Sequence, residues 1–127
     1  SKCCYRRKVG EKLRQVFQPK KYKKIGIYGR GNHTKQLIRM LKREGWIPAE
    51  LFVIDSNIEE SGQLFEGFPV LNIREVALNT ELVVLSSFLY EREMYENAIK
   101  YLPKQICIKT IYQDEVREIC WEWVNNV

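Results

Sequence analysis

The segment KKIGIYGRGNHTKQLIRML, residues 23–41, constrains the fold more than any other part of the chain. A short apolar run, KIGIY, meets two glycines, Gly29 and Gly31, and then a stretch in which Leu37, Ile38 and Leu41 recur at helical spacing. Glycines at a strand-to-helix junction permit a tight turn and let another group approach backbone N–H donors. The helix is expected to end at Gly45, with Pro48 shortly beyond.

The same alternation continues downstream. ELFVID at 50–55 reads as a second strand, and SGQLFEGFPVLN as a loop holding a brief third strand at Pro69–Leu71. Asn72 and Glu75 have the spacing of a capping box, which predicts a short helix. ELVVLSS is a fourth strand, Tyr90–Leu102 a helix with Met94, Ala98, Tyr101 and Leu102 on its inner face, and QICIKTI a fifth strand. A last helix is expected after Thr110 and Gln113, with Tyr112, Val116, Ile119, Cys120 and Trp123 on one side. Strands alternating with helices predict an α/β fold: a doubly wound, mainly parallel five-stranded sheet in the order 3-2-1-4-5, with helices on both faces.

A chain of 127 residues with 45% apolar content supports one core. Its net charge of +5 is unevenly spread: residues 1–24 hold ten Lys and Arg against one acid, and the remainder eleven against fifteen. Residues 1–21 therefore read as a basic helical arm and linker, with a helix over 8–17 carrying Val9, Leu13, Val16 and Phe17 and stopped by Pro19. Residues 22–127 form the expected nucleotide-binding domain. The arm's charge suits an anionic membrane surface, and CCYRRK resembles a palmitoylated juxtamembrane stretch. A nucleic-acid partner is not expected, because only Tyr5, Phe17 and Tyr22 are available to stack among the basic residues. The chain opens at Ser1 rather than Met, which suggests a piece of a larger protein. Four cysteines without a Cys-x-x-Cys spacing, no secretory leader and no long apolar run point to a reducing cytoplasm.

The candidate site follows from the strand ends. Arg30, Asn32, His33 and Thr34 continue the turn begun by Gly29 and Gly31, where free N–H groups and the helix dipole favour a phosphate. Thr34 stands at the third position of a Gly-x-Gly-x-x-Gly pattern, so the match is partial. Asp55, closing the second strand, can accept hydrogen bonds from ribose hydroxyls, and Arg30 can pair with a phosphate or face solvent. Neutral His33 can bond a ligand or serve as a local cap. Ser86 and Ser87 end the fourth strand at the same edge, where they can meet a ligand or cap the next helix.

IGIYGRGNHTKQLIRML, VIDSN, GFPVLN and VVLSSFLYEREMYE, in this order, resemble the small Rossmann-like domain of bacterial sugar-modifying and polysaccharide-biosynthesis proteins. That domain accompanies sugar C-methyltransferases, glycosyltransferases and sugar acyltransferases, and the resemblance spans roughly residues 22–112. It implies a bound nucleotide, NAD(P) or nucleotide-sugar at Gly29, Gly31, His33, Thr34, Asp55, Ser86, Ser87 and Tyr90, with catalysis in a neighbouring domain. The residues themselves supply little chemistry. No tyrosine has lysine four positions later, as a short-chain reductase or epimerase would need, and no Gly-x-Ser-x-Gly accompanies the single histidine. A binding module without catalytic or metal-ligating residues is the expectation. The alternatives are a small NAD(P)-dependent oxidoreductase or epimerase and a protein-docking domain.

Overall fold

The computed structural model describes residues 2–59 and 62–112, with side chains from Val9 onward. In the last helix expected after Thr110, only Ile111 and Tyr112 are described; neither is helical, and the rest lies outside the described residues. In chain order the elements are α1 (Lys2–Phe17), β1 (Lys24–Tyr28), α2 (Asn32–Glu44), β2 (Glu50–Asp55), β3 (Leu64–Phe65) and β4 (Phe68–Asn72). A single 3₁₀ turn (Ile73–Glu75), β5 (Leu82–Leu85), α3 (Glu91–Tyr101) and β6 (Cys107–Lys109) follow.

These strands build one six-stranded mixed sheet in the order β3-β4-β2-β1-β5-β6, parallel except for the β3–β4 pair. The expected five strands in the order 3-2-1-4-5 are corrected in two respects. A sixth strand exists, and it forms one edge as the outer arm of an antiparallel hairpin. Its cause is local: Glu66 and Gly67 both take positive φ (51° and 88°), which matches the right-handed twist of a tight hairpin and folds Phe65 back opposite Phe68. The short helix expected after Asn72 is the 3₁₀ turn, and both hydrogen bonds of its capping box are present.

β1 and β5 are buried on both faces, which is why they read as unbroken apolar runs. Ile25, Ile27, Leu51, Val53, Leu82 and Val84 point to one side and pack in a cluster with Leu37, Ile38 and Leu41 of α2. Phe52, Ile54, Val83 and Leu85 point to the other, against Ala98 and Leu102. The alternation follows from the two-residue period of a strand.

Helix α1 belongs to this core. Val9, Leu13 and Phe17, each 2% exposed, join the same cluster as α2, and Lys12 Nζ donates to the Ile111 carbonyl at 3.4 Å. Helix α1 thus carries, beside the basic residues that mark it in the sequence, an apolar stripe buried in the core that the sheet shares with α2. No helix among the described residues is long and apolar enough to cross a membrane.

The chain winds outward from β1 in both directions, to β2 and β4 on one side and to β5 and β6 on the other. The carboxyl ends of β1, β2 and β5 consequently meet at one edge, at the point where an open sheet leaves a crevice between diverging connections.

Candidate functional site

Among the described residues, two clefts lie at that edge. The first, of about 310 Å³, is lined by Gly29, Arg30, Gly31, Asn32 and His33 on one side and by Ser86, Ser87, Phe88, Leu89, Tyr90 and Met94 on the other. The second, of about 340 Å³, lies between Tyr28, Ile54, Asp55, Ser56 and Asn57 and the α3 residues Glu93, Met94 and Asn97. Gly29, Tyr90 and Met94 line both, so the two adjoin. Of the residues singled out in the sequence, eight line the first cleft. Asp55 lines the second, and Thr34 lies fully buried.

The two glycines of the turn differ in kind. Gly29 has φ +133°, and a Cβ there would sit 2.6 Å from the Ser86 carbonyl oxygen and 3.1 Å from Thr34 Oγ1. The fold itself demands glycine at that position. Gly31 has φ −111° and ψ −162°, ordinary extended values, and a Cβ added there would meet nothing within 4 Å. It is the N-cap of α2, and no side chain caps the helix. Neither packing nor backbone geometry accounts for glycine at 31.

Behind the turn runs a chain of polar contacts whose direction can be derived. Thr34 Oγ1 lies 2.8 Å from the Gly29 carbonyl oxygen and 2.9 Å from Ser86 Oγ. Ser86 Oγ lies 2.7 Å from His33 Nδ1, and His33 Nε2 lies 2.6 Å from the Tyr112 hydroxyl. A carbonyl can only accept, so Thr34 gives its one proton to Gly29. Ser86 must then give its own to Thr34, which leaves Ser86 Oγ to accept from His33 Nδ1–H. Burial lowers the His33 pKa from 6.5 to about 4, so the ring is neutral near pH 7. A neutral ring protonated on Nδ1 accepts at Nε2, and Tyr112 donates there. The relay thus runs one way, from Tyr112 through His33, Ser86 and Thr34 to the peptide of Gly29.

This arrangement assigns His33 and Thr34 to holding the turn. In this tautomer His33 Nδ1 is occupied by its own proton and cannot take one from Ser86, so the pair is not arranged as nucleophile and base. With the Gly29 carbonyl turned inward to Thr34, the planar trans peptide directs the Arg30 N–H the opposite way. Tyr112 is itself fixed from below, because Glu91 Oε2 accepts from the backbone N–H groups of Ile111 and Tyr112 at 2.7 and 2.8 Å. Phe88 and His33 both pack edge-on to the Tyr112 ring.

Arg30 bridges the clefts. Its Nε lies 3.2 Å from Asp55 Oδ2, and its Nη1 donates to Gln63 Oε1 at 2.7 Å. Asp55 Oδ1 accepts from the Asn57 N–H at 2.9 Å. The carboxylate expected to meet ribose hydroxyls therefore already carries two partners, with lone pairs remaining on both oxygens. Ser87 Oγ accepts from the Tyr90 N–H at 3.0 Å in the turn that precedes α3, whose N-cap, Tyr90, has no side-chain cap. Tyr90 is exposed at the boundary of the clefts.

Sequence reasoning did not place Tyr112, Gln63, Met94 or Asn97 at the site. Met94 lies within a block that carries the resemblance, but its spacing marks only a core-facing residue of the helix, and the Tyr112–His33 contact spans 79 positions. Among the described residues no group of three or more His, Cys, Asp or Glu could hold a metal ion. Comparison with protein-family models, curated proteins and solved structures finds no match to the chain.

Proposed function

We propose that this chain is a Rossmann-like module that binds a nucleotide or nucleotide-sugar, with the phosphates against the Gly29–Asn32 turn and a ribose beside Asp55. The observation that carries the reading is Gly31. It is a glycine that the fold does not require, placed at the uncapped start of α2 and facing a cleft. A ligand whose phosphate must come within hydrogen-bonding distance of the backbone supplies the missing reason for it, since the helix start offers N–H donors and the positive end of a dipole. The relay behind the turn supports the same role by fixing the Gly29 peptide. Arg30 adds a cation at the junction of the clefts.

Binding rather than catalysis is proposed because the one histidine is neutral, buried and committed on both nitrogens. The resemblance to the small domains of polysaccharide-biosynthesis proteins supports a module that holds a ligand for a neighbouring catalytic domain. Calorimetric titration with nucleoside diphosphates, dinucleotides and nucleotide-sugars tests the reading. Wild-type protein is expected to bind at least one of them, and Gly31→Val to abolish that binding while destabilising the fold by no more than the loss of a favoured N-cap residue, about 1 kcal/mol. Absence of heat with every ligand would reject the proposal, and NADH oxidation by the isolated chain would replace it with the oxidoreductase reading.

A further inference from the structure

The second cleft is chemically unlike the first. Tyr90 and Met94 are common to both, but where the first adds Phe88 and Leu89, the second is walled by Asp55 and Asn57 from the β2 end, Glu93 and Asn97 from α3, and Tyr28 between them. Asn97 Nδ2 donates to the Tyr28 hydroxyl at 3.2 Å, which leaves the tyrosine's own proton to be donated. The cleft thus offers carboxylate acceptors, one phenolic donor and two side-chain amides within a single cavity. Its charge is one-sided. Asp55 and Glu93 face the cavity, and the guanidinium of Arg30 is already paired with Asp55. Glu93 is exposed and has no ion-pair partner among the described residues.

From this we infer that Glu93, acting with Asp55, makes the second cleft selective for an uncharged hydroxyl-bearing ring and against the same ring carrying a phosphate or carboxylate. Hydroxyls match the inventory, since each can donate to a carboxylate and accept from Tyr28 or an amide. A phosphate in their place brings about −1.5 to −2 charges towards two carboxylates while only one paired cation is at hand. Like-charge opposition of this kind discriminates by repulsion rather than by a better contact to the preferred ligand. Glu93 sits in the first turn of α3, where the helix dipole favours a carboxylate. Its presence costs the fold nothing and its effect is felt in the cleft.

The inference rests on the nucleotide reading, and the test separates the two. Nucleoside 5′-diphosphates of the four common bases are titrated into the wild-type chain and into Glu93→Gln, followed by the same nucleotides carrying an additional 3′-phosphate. The wild type is expected to bind the 3′-phosphorylated form about tenfold more weakly, equivalent to about 1.4 kcal/mol. In Glu93→Gln that gap, read as the ratio of the two affinities within the same variant, should shrink to about twofold. Equal affinity of the wild type for both forms, or a gap that persists in Glu93→Gln, overturns the inference and leaves the nucleotide reading standing. Failure of all four plain diphosphates to bind overturns the inference, and the nucleotide reading falls with it when dinucleotides and nucleotide-sugars fail as well.

Discussion

Replacing His33 by glutamine should remove a defined portion of the protein's sensitivity to acid. Burial holds the folded imidazole near pKa 4, against 6.5 in an unfolded chain. Between these values the unfolded state binds a proton that the folded state refuses, so each step down in pH favours unfolding. The neutral ring's contribution is complete above pH 6.5 and is lost as pH falls towards 4. At about 1.4 kcal/mol per pH unit, the gap amounts to about 3 kcal/mol. That is a large share of the roughly 5–15 kcal/mol that stabilises an ordinary domain. The physical reason is burial: a second ring proton would place a charge on an imidazole withdrawn from water, which disfavours the charged form. Urea denaturation followed by circular dichroism at a series of pH values gives the comparison, because carboxylates titrate alike in both proteins. The stability difference between wild type and His33→Gln should move by about 3 kcal/mol in favour of the variant between pH 7 and pH 4. The chain has one histidine, so its ring resonance can also be followed directly by NMR without assignment. Parallel stability curves, or a ring that titrates near pH 6.5 in the folded protein, would refute the buried relay.

The remaining expectations concern the turn and the core. Gly29→Ala should destabilise the fold by about 2–4 kcal/mol, because the new Cβ meets a backbone carbonyl at a φ that side chains avoid, whereas Gly31→Ala should cost no more than about 1 kcal/mol, the preference for glycine over alanine at an N-cap; thermal melts of the two variants make the comparison, and equal losses would contradict the distinction. Phe17→Ala should cost about 3–5 kcal/mol as a large-to-small change in the core, read by urea melts, and a loss below about 1 kcal/mol would restore α1 as a separable arm.

Much of the scaffold was legible because strong local signals agreed with the tertiary structure. KIGIY, ELFVID and ELVVL are short apolar runs between turn residues, and each became a strand of the sheet. The hairpin was not legible because Glu66, unlike Asn or Gly, gives no warning of a positive φ. For α1 the charge asymmetry drew attention away from Val9, Leu13 and Phe17, whose spacing had already marked an apolar stripe but could not say what it would pack against. At the site, strand ends located Gly29, Asp55 and Ser86 at one edge, since that depends only on parallel order. Sequence could not show that Arg30 turns towards Asp55, or that Tyr112 reaches His33, because such contacts depend on side-chain direction and on residues distant in the chain.

The most direct measurement is backbone amide NMR of the wild-type chain during titration with nucleoside diphosphates and nucleotide-sugars. A bound phosphate should shift the amides of Arg30, Gly31 and Asn32 most strongly, with smaller shifts at Asp55 and Tyr90. The groove at the opposite strand ends, around Ile47, Ala49 and Leu51, should remain unmoved. Shifts centred on that groove, or no shifts at the Gly29–Asn32 turn at saturating ligand, would contradict a nucleotide site at the carboxyl edge of the sheet.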